Sequence, residues 1–357
     1  MSEIDALETF TVRMRRREPF VIATGSSDTV ENVLVRITSG EREGWGACAP
    51  NTVTGDDLDR VMGSLRRAEK LLGEDIRDPE ELHRSLEGIG ATPRSALDAA
   101  FYDLWAKERG VQVCDMLGRI RDSIPTSVTI GIMPLEETVE RARSLVREGF
   151  KALKLKVGMD LGSDIERVRG VREAVGETVI RVDCNQGYDL DQSRDFLQAV
   201  DPLGLELVEQ PLPADLLAEM GELAEGSPVP IMADEAVHGT EDLSSLPPSI
   251  ELINIKLAKC GGIHRAVEMA RLCHRRGLRA MVGCMSECQA SIAAGLHFAL
   301  SSPAVACADL DSHLSLMDDP TTALLTKGGR LFPTGTAGLG ITINDRNRIM
   351  GTDRTGR

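Results

Sequence analysis

No excess of positive charge is present in this chain: 41 basic residues face 56 acidic ones across 357 positions, for a net charge of −15. A phosphate backbone is therefore a poor partner, and a soluble protein acting on small molecules fits the balance better. Long apolar runs are also missing, so no stretch has the length of a membrane span. The first residues, Met1-Ser2-Glu3-Ile4-Asp5, lack a basic segment leading into an apolar core, and a cytoplasmic location is expected. Neither membrane nor nucleic acid is an expected partner.

Cysteine pairs at metal-binding or stapling intervals are lacking too. Eight cysteines (Cys48, Cys114, Cys184, Cys260, Cys273, Cys284, Cys288 and Cys307) are scattered through a chain too long to need disulfide staples, so reduced and mostly buried thiols are expected. Cys284-x-x-x-Cys288 has no second Cys or His pair to complete a zinc site. No proline- or serine-rich linker and no low-complexity tract interrupts the sequence.

What is present begins as strands. Thr29 to Thr38 places Val33, Val35 and Ile37 on one face, and Gly44-Trp45-Gly46-Ala47-Cys48-Ala49 follows a charged turn, as in an antiparallel meander. Helical spacing follows over 56–72, 78–86 and 93–109, the second opened by Asp78-Pro79. Strands followed by helices predict an α+β unit.

From Thr126 strand and helix alternate. The predicted strands are Ser127–Ile132, Leu153–Val157, Val179–Asp183, Leu205–Glu209, Pro230–Asp234, Leu252–Leu257, Ala280–Cys284 and Val305–Leu310, with helical segments such as Pro134–Gly149 between them. Eight strands and seven crossovers predict an α/β chain whose core is a modified (β/α)7β TIM barrel. We expect a barrel over 124–319 and a capping α+β domain formed by 1–123 and 320–357, with the tail packing back on the N-terminal unit.

A parallel barrel builds its active site where its strands end. The second predicted strand carries Lys154-Leu155-Lys156, whose two ammonium groups point to one face. The next three end in Asp183-Cys184-Asn185, Glu209-Gln210-Pro211 and Asp234-Glu235, and the sixth carries Asn254-Ile255-Lys256. Steps of 27, 26, 25 and 22 residues separate Lys156, Asp183, Glu209, Asp234 and Lys256, each close to one strand-helix repeat. The charged ends should ring a single cavity.

Three converging carboxylates repel one another unless a cation sits among them, and all-oxygen ligation favours Mg²⁺ over zinc. Asp183, Glu209 and Asp234 are the expected ligands; helix capping by each acid is the bland alternative. Lys156 and Lys256 would then stand across the cavity as two bases, suited to removing a proton on one face and returning it on the other. Taking a proton from the carbon next to a carboxylate creates an enediolate dianion, which needs a divalent cation and cationic side chains for neutralisation.

The set Lys154-x-Lys156, Asp183-x-Asn185, Glu209-Gln210-Pro211, Asp234-Glu235 and Asn254-Ile255-Lys256-Leu-x-Lys-x-Gly-Gly, with the helix motif Arg94 to Leu104, resembles the muconate-lactonizing subgroup of the enolase superfamily along nearly the whole chain. The resemblance implies that Lys156 and Lys256 are the acid/base pair, that Lys154 neutralises the substrate carboxylate, and that the chain forms a homo-oligomer. Asn185, Glu235 and Glu287 are expected to support these groups. Asp309-Leu310-Asp311, at the end of the last strand, resembles the dipeptide epimerase branch, where such a pair holds the free α-ammonium of a dipeptide. Helix capping before Leu314 remains open for this pair.

By the same resemblance Thr129 lies near the substrate carboxylate, and Met281 to Glu287, including Cys284, matches the seventh-strand motif. Specificity is expected from loops at Phe20–Asp28 and Asn51–Gly55. Ala-Glu epimerases carry a basic residue in the first loop, whereas here Ala23-Thr24-Gly25-Ser26-Ser27 stands there and no Lys or Arg occurs between Phe20 and Val35. A small, apolar or cationic side chain suits Asp28 and Glu31 better, with Gly25 at the substrate. N-acylamino acid racemase, o-succinylbenzoate synthase and muconate cycloisomerase activities share the lysines and acids and remain alternatives. Of the histidines, His264 and His274 are read as solvated, His297 as a core residue, and His238 and His313 as near the mouth.

Overall fold

The computed structural model describes residues 4–72 and 76–352. Residues 1–3, 73–75 and 353–357 lie outside it, and with them the outer limits of both predicted capping segments. Three antiparallel strands open the chain: β1 (Ala6–Ile22), β2 (Gly25–Ser39) and β3 (Arg42–Cys48). Three helices follow, α1 (Leu58–Leu71), α2 (Pro79–Ser85) and α3 (Ala91–Arg109). Asp57 and Asp78 cap the first two by accepting from Arg60 N and Glu81 N.

The alternation in β2 buries Val33, Val35 and Ile37 under the helices with Leu65, Leu97 and Phe101. Packing of α3 on β3 depends on Gly44 and Gly46, because a Cβ at either would collide with the backbone of Ala100 or Ala96. Asp103 then ties two segments, β3 and the tail, to α3. It accepts from Trp45 N at 2.8 Å and Leu339 N at 2.7 Å, and pairs with Lys107 at 2.7 Å.

The barrel strands are Val128–Ile130, Ala152–Lys156, Val179–Asp183, Leu207–Glu209, Ile231–Ala233, Leu252–Lys256, Arg279–Gly283 and Val305–Asp309, hydrogen-bonded in that order in one eight-stranded sheet. The described pairings are parallel, and a Thr126–Ala308 bridge joins the last strand to the first. Every predicted strand is found: Val179–Asp183 as predicted, the second and seventh shifted one residue earlier, and the other five one to three residues shorter because loop backbone leaves the ladder before side-chain alternation ends. Helices such as Leu135–Arg147 and Ile263–Arg276 lie between them.

The tail divides. Leu339 reaches Asp103, and Met350–Thr352 adds a strand to β1. Leu324–Lys327 and Arg330–Pro333 instead form a hairpin paired with Ile124–Pro125 at the barrel. All eight cysteines are free, seven buried and Cys284 partly so. Among the described residues no helix is long and apolar enough to cross a membrane.

Candidate active site

Strand register sets the site. Lys156, Asp183 and Glu209 are successive partners across three neighbouring barrel strands, while Lys256, Gly283 and Asp309 are partners on the other side. Because alternate residues share a face, Lys154 lies one layer deeper than Lys156. Its ammonium is fully buried, 2.8 Å from Asp183, 2.7 Å from Glu209 and 2.8 Å from Asp309. Burial alone would lower its pKa, but Asp183, Asp309 and Glu209 outweigh that and hold it well above the ordinary value.

Lys156 donates to Asp183 Oδ2 at 2.7 Å and to Asn185 Oδ1 at 2.8 Å. Lys256 donates to Asp234 Oδ2 at 2.6 Å. Burial opposes the charge of Lys256, yet Asp234 and Glu209 raise its pKa. So each of the two lysines is anchored to a different member of the acid trio.

The trio itself converges. One oxygen from each of Asp183, Glu209 and Asp234 lies within 4.8 Å of the others, and all three residues are buried. Asp183 and Asp234 are held low because neighbouring lysines overcome the effect of burial. Glu209 goes the other way, pushed up to about 8 by burial and then by Asp183. Its Oε1 accepts from Asn254 at 2.8 Å, but Oε2 has no hydrogen-bond donor. The 2.7 Å approach of Lys154 to that oxygen is off the direction a hydrogen bond needs. Three hard oxygens, one of them orphaned, suit a small divalent cation.

Backbone strain concentrates here as well. Asn185, Gln186 and Gln210 have φ of 43°, 66° and 37°, the only non-glycine positive values among the described residues. The turn lets Asn185 reach back to Lys156 and forward, through Nδ2, to Glu235 Oε1 at 3.1 Å. Gln210 accepts from Asp234 N at 2.9 Å and Ala236 N at 3.2 Å, fixing the fifth strand end.

The eighth strand end brings Asp309 and Asp311 beside this cluster. Asp309 accepts from Lys154 at 2.8 Å and Ser127 Oγ at 2.6 Å, and stays below the usual carboxylate range because Lys154 overcomes burial. Asp311 accepts from Thr129 N at 2.6 Å and is pushed up to about 6, by burial first and Asp309 second. Thr129 thus spends its N–H on the aspartate expected to hold an ammonium. Cys284 contacts the carbonyl of Asp309 at 3.2 Å, and burial pushes Glu287 up to about 7. Gly25 opens β2 at the tip of the capping hairpin, with open space where a Cβ would stand.

Two further groups escaped sequence reasoning. Lys259, in the one-turn helix Leu257–Cys260, donates to Asp234 Oδ1 at 2.5 Å and also to its carbonyl. Its signal was its place three residues after Lys256. Arg181 donates at 3.2 Å to Ser127, which holds Asp309; nothing in the spacing marked it. His297 accepts from Cys114 N at 3.0 Å, as a core residue does, and His274 is exposed. His264 differs from expectation, packing half-buried on His83 with ring centroids 4.9 Å apart. His238 caps onto Glu235 O, and His313 faces Thr326, so neither points to the acid cluster through these bonds.

Comparison with known proteins places this arrangement in company. Residues 6–118 match the model for the mandelate racemase / muconate lactonizing enzyme N-terminal domain, and residues 137–347 match the enolase C-terminal domain-like model. An L-Lys-D/L-Arg epimerase of Methylococcus capsulatus is 40% identical over 92% of this chain and 95% of that one. An L-Ala-D/L-Glu epimerase of Bacillus subtilis is 33% identical over 95% and 96%. The solved dipeptide epimerase of M. capsulatus, complexed with Mg and the dipeptide L-Arg-D-Lys, superposes with a TM-score of 0.87 at 36% identity, covering 95% of this chain and 99% of that one.

Proposed function

Because this chain belongs to the mandelate racemase / muconate lactonizing enzyme family, we propose that it is a Mg²⁺-dependent dipeptide epimerase that inverts the α-carbon of the C-terminal residue. The observation that carries the reading is the Asp309–Asp311 pair beside Lys154: two carboxylates to receive an α-ammonium, set next to a cation that receives the α-carboxylate. In this reading chemistry belongs to 124–319 and selection to the cap formed by 1–123 and 320–357.

Asp183, Glu209 and Asp234 would hold the ion, which supplies positive charge to a carboxylate losing its α-proton. Lys154, in the layer beneath, adds a second positive charge that stays in place throughout the reaction. Lys156 Nζ takes the proton from one face of the α-carbon and Lys256 Nζ returns one to the other, the roles exchanging with the configuration presented. In the present geometry both ammonium groups bond to carboxylates; either becomes a base where those carboxylates are otherwise neutralised. Asn185 keeps Lys156 aimed, and Lys259 keeps Asp234 fixed while Lys256 moves its proton.

For the side chains we favour a cationic residue. The cap hairpin carries exposed Asp28 and Glu31 and no basic residue between Arg17 and Arg36, and the relative at 40% identity is an L-Lys-D/L-Arg epimerase. Racemization of N-acylamino acids, o-succinylbenzoate synthesis and muconate cycloisomerization would leave the aspartate pair without an ammonium to bind. A cytoplasmic homo-oligomer completes the reading. The test is a dipeptide library in D₂O with Mg²⁺, read by mass: a gain of one deuterium with epimer formation is expected for dipeptides with Lys or Arg. No deuterium in any dipeptide would remove the proposal.

A further inference from the structure

Strict alternation governs the middle of β1: Val12 and Met14 face the core while Arg13 and Arg15 face solvent. The next inward position belongs to Arg16, which is 8% exposed although a guanidinium is costly to bury. Among the described residues it makes no ion pair with a carboxylate. Its fork ends instead on three serine hydroxyls: Nε donates to Ser27 at 3.1 Å, Nη1 to Ser315 at 3.0 Å and Nη2 to Ser286 at 2.6 Å. The Phe20 ring lies under the guanidinium, 4.9 Å to its centroid.

Those serines come from three different places. Ser27 is in the capping hairpin, Ser286 in the loop after the seventh barrel strand, and Ser315 follows the Asp309-x-Asp311 segment. A neighbour repeats the pattern: Asn32 of β2 donates to Ser286 O at 2.9 Å and accepts from Cys288 N at 2.7 Å. From the other side Ser312 Oγ bonds both Glu287 N at 2.9 Å and Glu287 O at 2.6 Å. The loop carrying Glu287 is thus gripped between the cap and the segment carrying Asp311. The hairpin has two further footholds, Val21 O on Ile132 N at 2.8 Å and Ala23 against Gly158, where a Cβ would collide with Cys184 O.

We propose that Arg16 is a positioning residue that locks the capping hairpin, the Glu287 loop and the Asp311 segment into one wall of the substrate pocket, and so sets affinity and selectivity without taking part in proton transfer. Hydroxyl partners suit this task better than a carboxylate would. They fix the geometry of a fork whose charge burial disfavours, lowering its pKa, with the field of Asp311 offsetting part of that cost. A lysine would present a point charge that cannot span three hydroxyls in one plane.

The test uses the full-length chain with Mg²⁺ and the variants R16K, R16M, S286A and S315A. Amide hydrogen exchange of the hairpin 20–28 is expected to speed up about tenfold in R16K and R16M and a few-fold in the serine variants, with barrel amides unchanged. For a dipeptide that turns over, KM is expected to rise about tenfold with kcat altered less than about threefold, and preference among side chains to shrink. Unchanged hairpin exchange and KM would overturn the proposal, as would a fall in kcat at constant KM. Should the arginine variants unfold, the serine variants decide by the same criteria. The kinetic arm rests on the epimerase reading; the exchange arm needs no substrate, so a loosened hairpin in a protein inert toward every dipeptide would refute that reading and keep the lock.

Discussion

The barrel mouth and the capping hairpin solve the same problem, holding polar groups out of water, in opposite ways. At the mouth the lysines and the acid trio face opposite charge: Lys154 has three carboxylates, Asp234 has two lysines, and Lys156 has Asp183. In the hairpin the one buried cation, Arg16, is held by neutral hydroxyls. Dense opposite charge gives a cluster whose members depend on one another and whose protons shift together. Neutral clamps give a wall that is shaped without being coupled to the proton chemistry. Under the proposed function, the comparison separates a place that reacts from a place that selects.

The largest effect expected is at the mouth. Replacing Lys256 or Lys156 with Ala should lower the epimerization rate by about 10²–10⁴-fold, the usual contribution of a positioned acid or base, measured as kcat on one dipeptide. Next comes Glu209→Gln, which keeps the shape but removes a hard anionic oxygen. Mg²⁺ affinity by titration calorimetry should fall by at least about 100-fold. Asp309→Asn with Asp311→Asn should raise KM for dipeptides by about 30–100-fold, as expected for losing a charge-assisted bond to an ammonium.

Asp311 also makes that wall sensitive to pH. Burial and Asp309 move its carboxyl from 3.8 to about 6, so it binds a proton more readily in the folded protein. Only the ionised form attracts an ammonium, so KM should rise as pH falls through about 6, and Asp311→Asn should flatten this limb. For folding the sign is opposite. A raised carboxyl pKa favours the folded state at low pH, and that contribution fades as pH climbs from near 4 through 6. The smallest effect belongs to the hairpin's exposed acids. Asp28→Ala with Glu31→Ala should reduce kcat/KM for cationic dipeptides by only about three- to tenfold, and less in high salt.

What was legible in the sequence divides along the same line. The mouth was readable because it repeats: Asp183, Glu209 and Asp234 each end a strand one repeat after the last, and Lys154-x-Lys156 announces its own face. A period of two inside strands and a near-constant step between them carry that information in local order. Arg16 reaches Ser286 and Ser315 across 270 and 299 residues, and no period links positions so far apart. The tail hairpin's pairing with Ile124–Pro125 was hidden for the same reason. Lys259 lay within a quoted motif, yet only the left-handed turn at Gly261, with a φ of 95°, and the short helix before it reveal that its ammonium returns to Asp234.

Two bases on opposite faces are the core of the account, and isotope exchange by the two lysine variants tests them most directly. Each variant is incubated in D₂O with Mg²⁺ and the separate L,L and L,D forms of one dipeptide, and α-deuterium is read by NMR. The account predicts that Lys156→Ala and Lys256→Ala each lose inversion, and that each still washes deuterium into one isomer only, a different isomer for each. Exchange of both isomers by either variant, or inversion near the parent rate without Lys256, would contradict it.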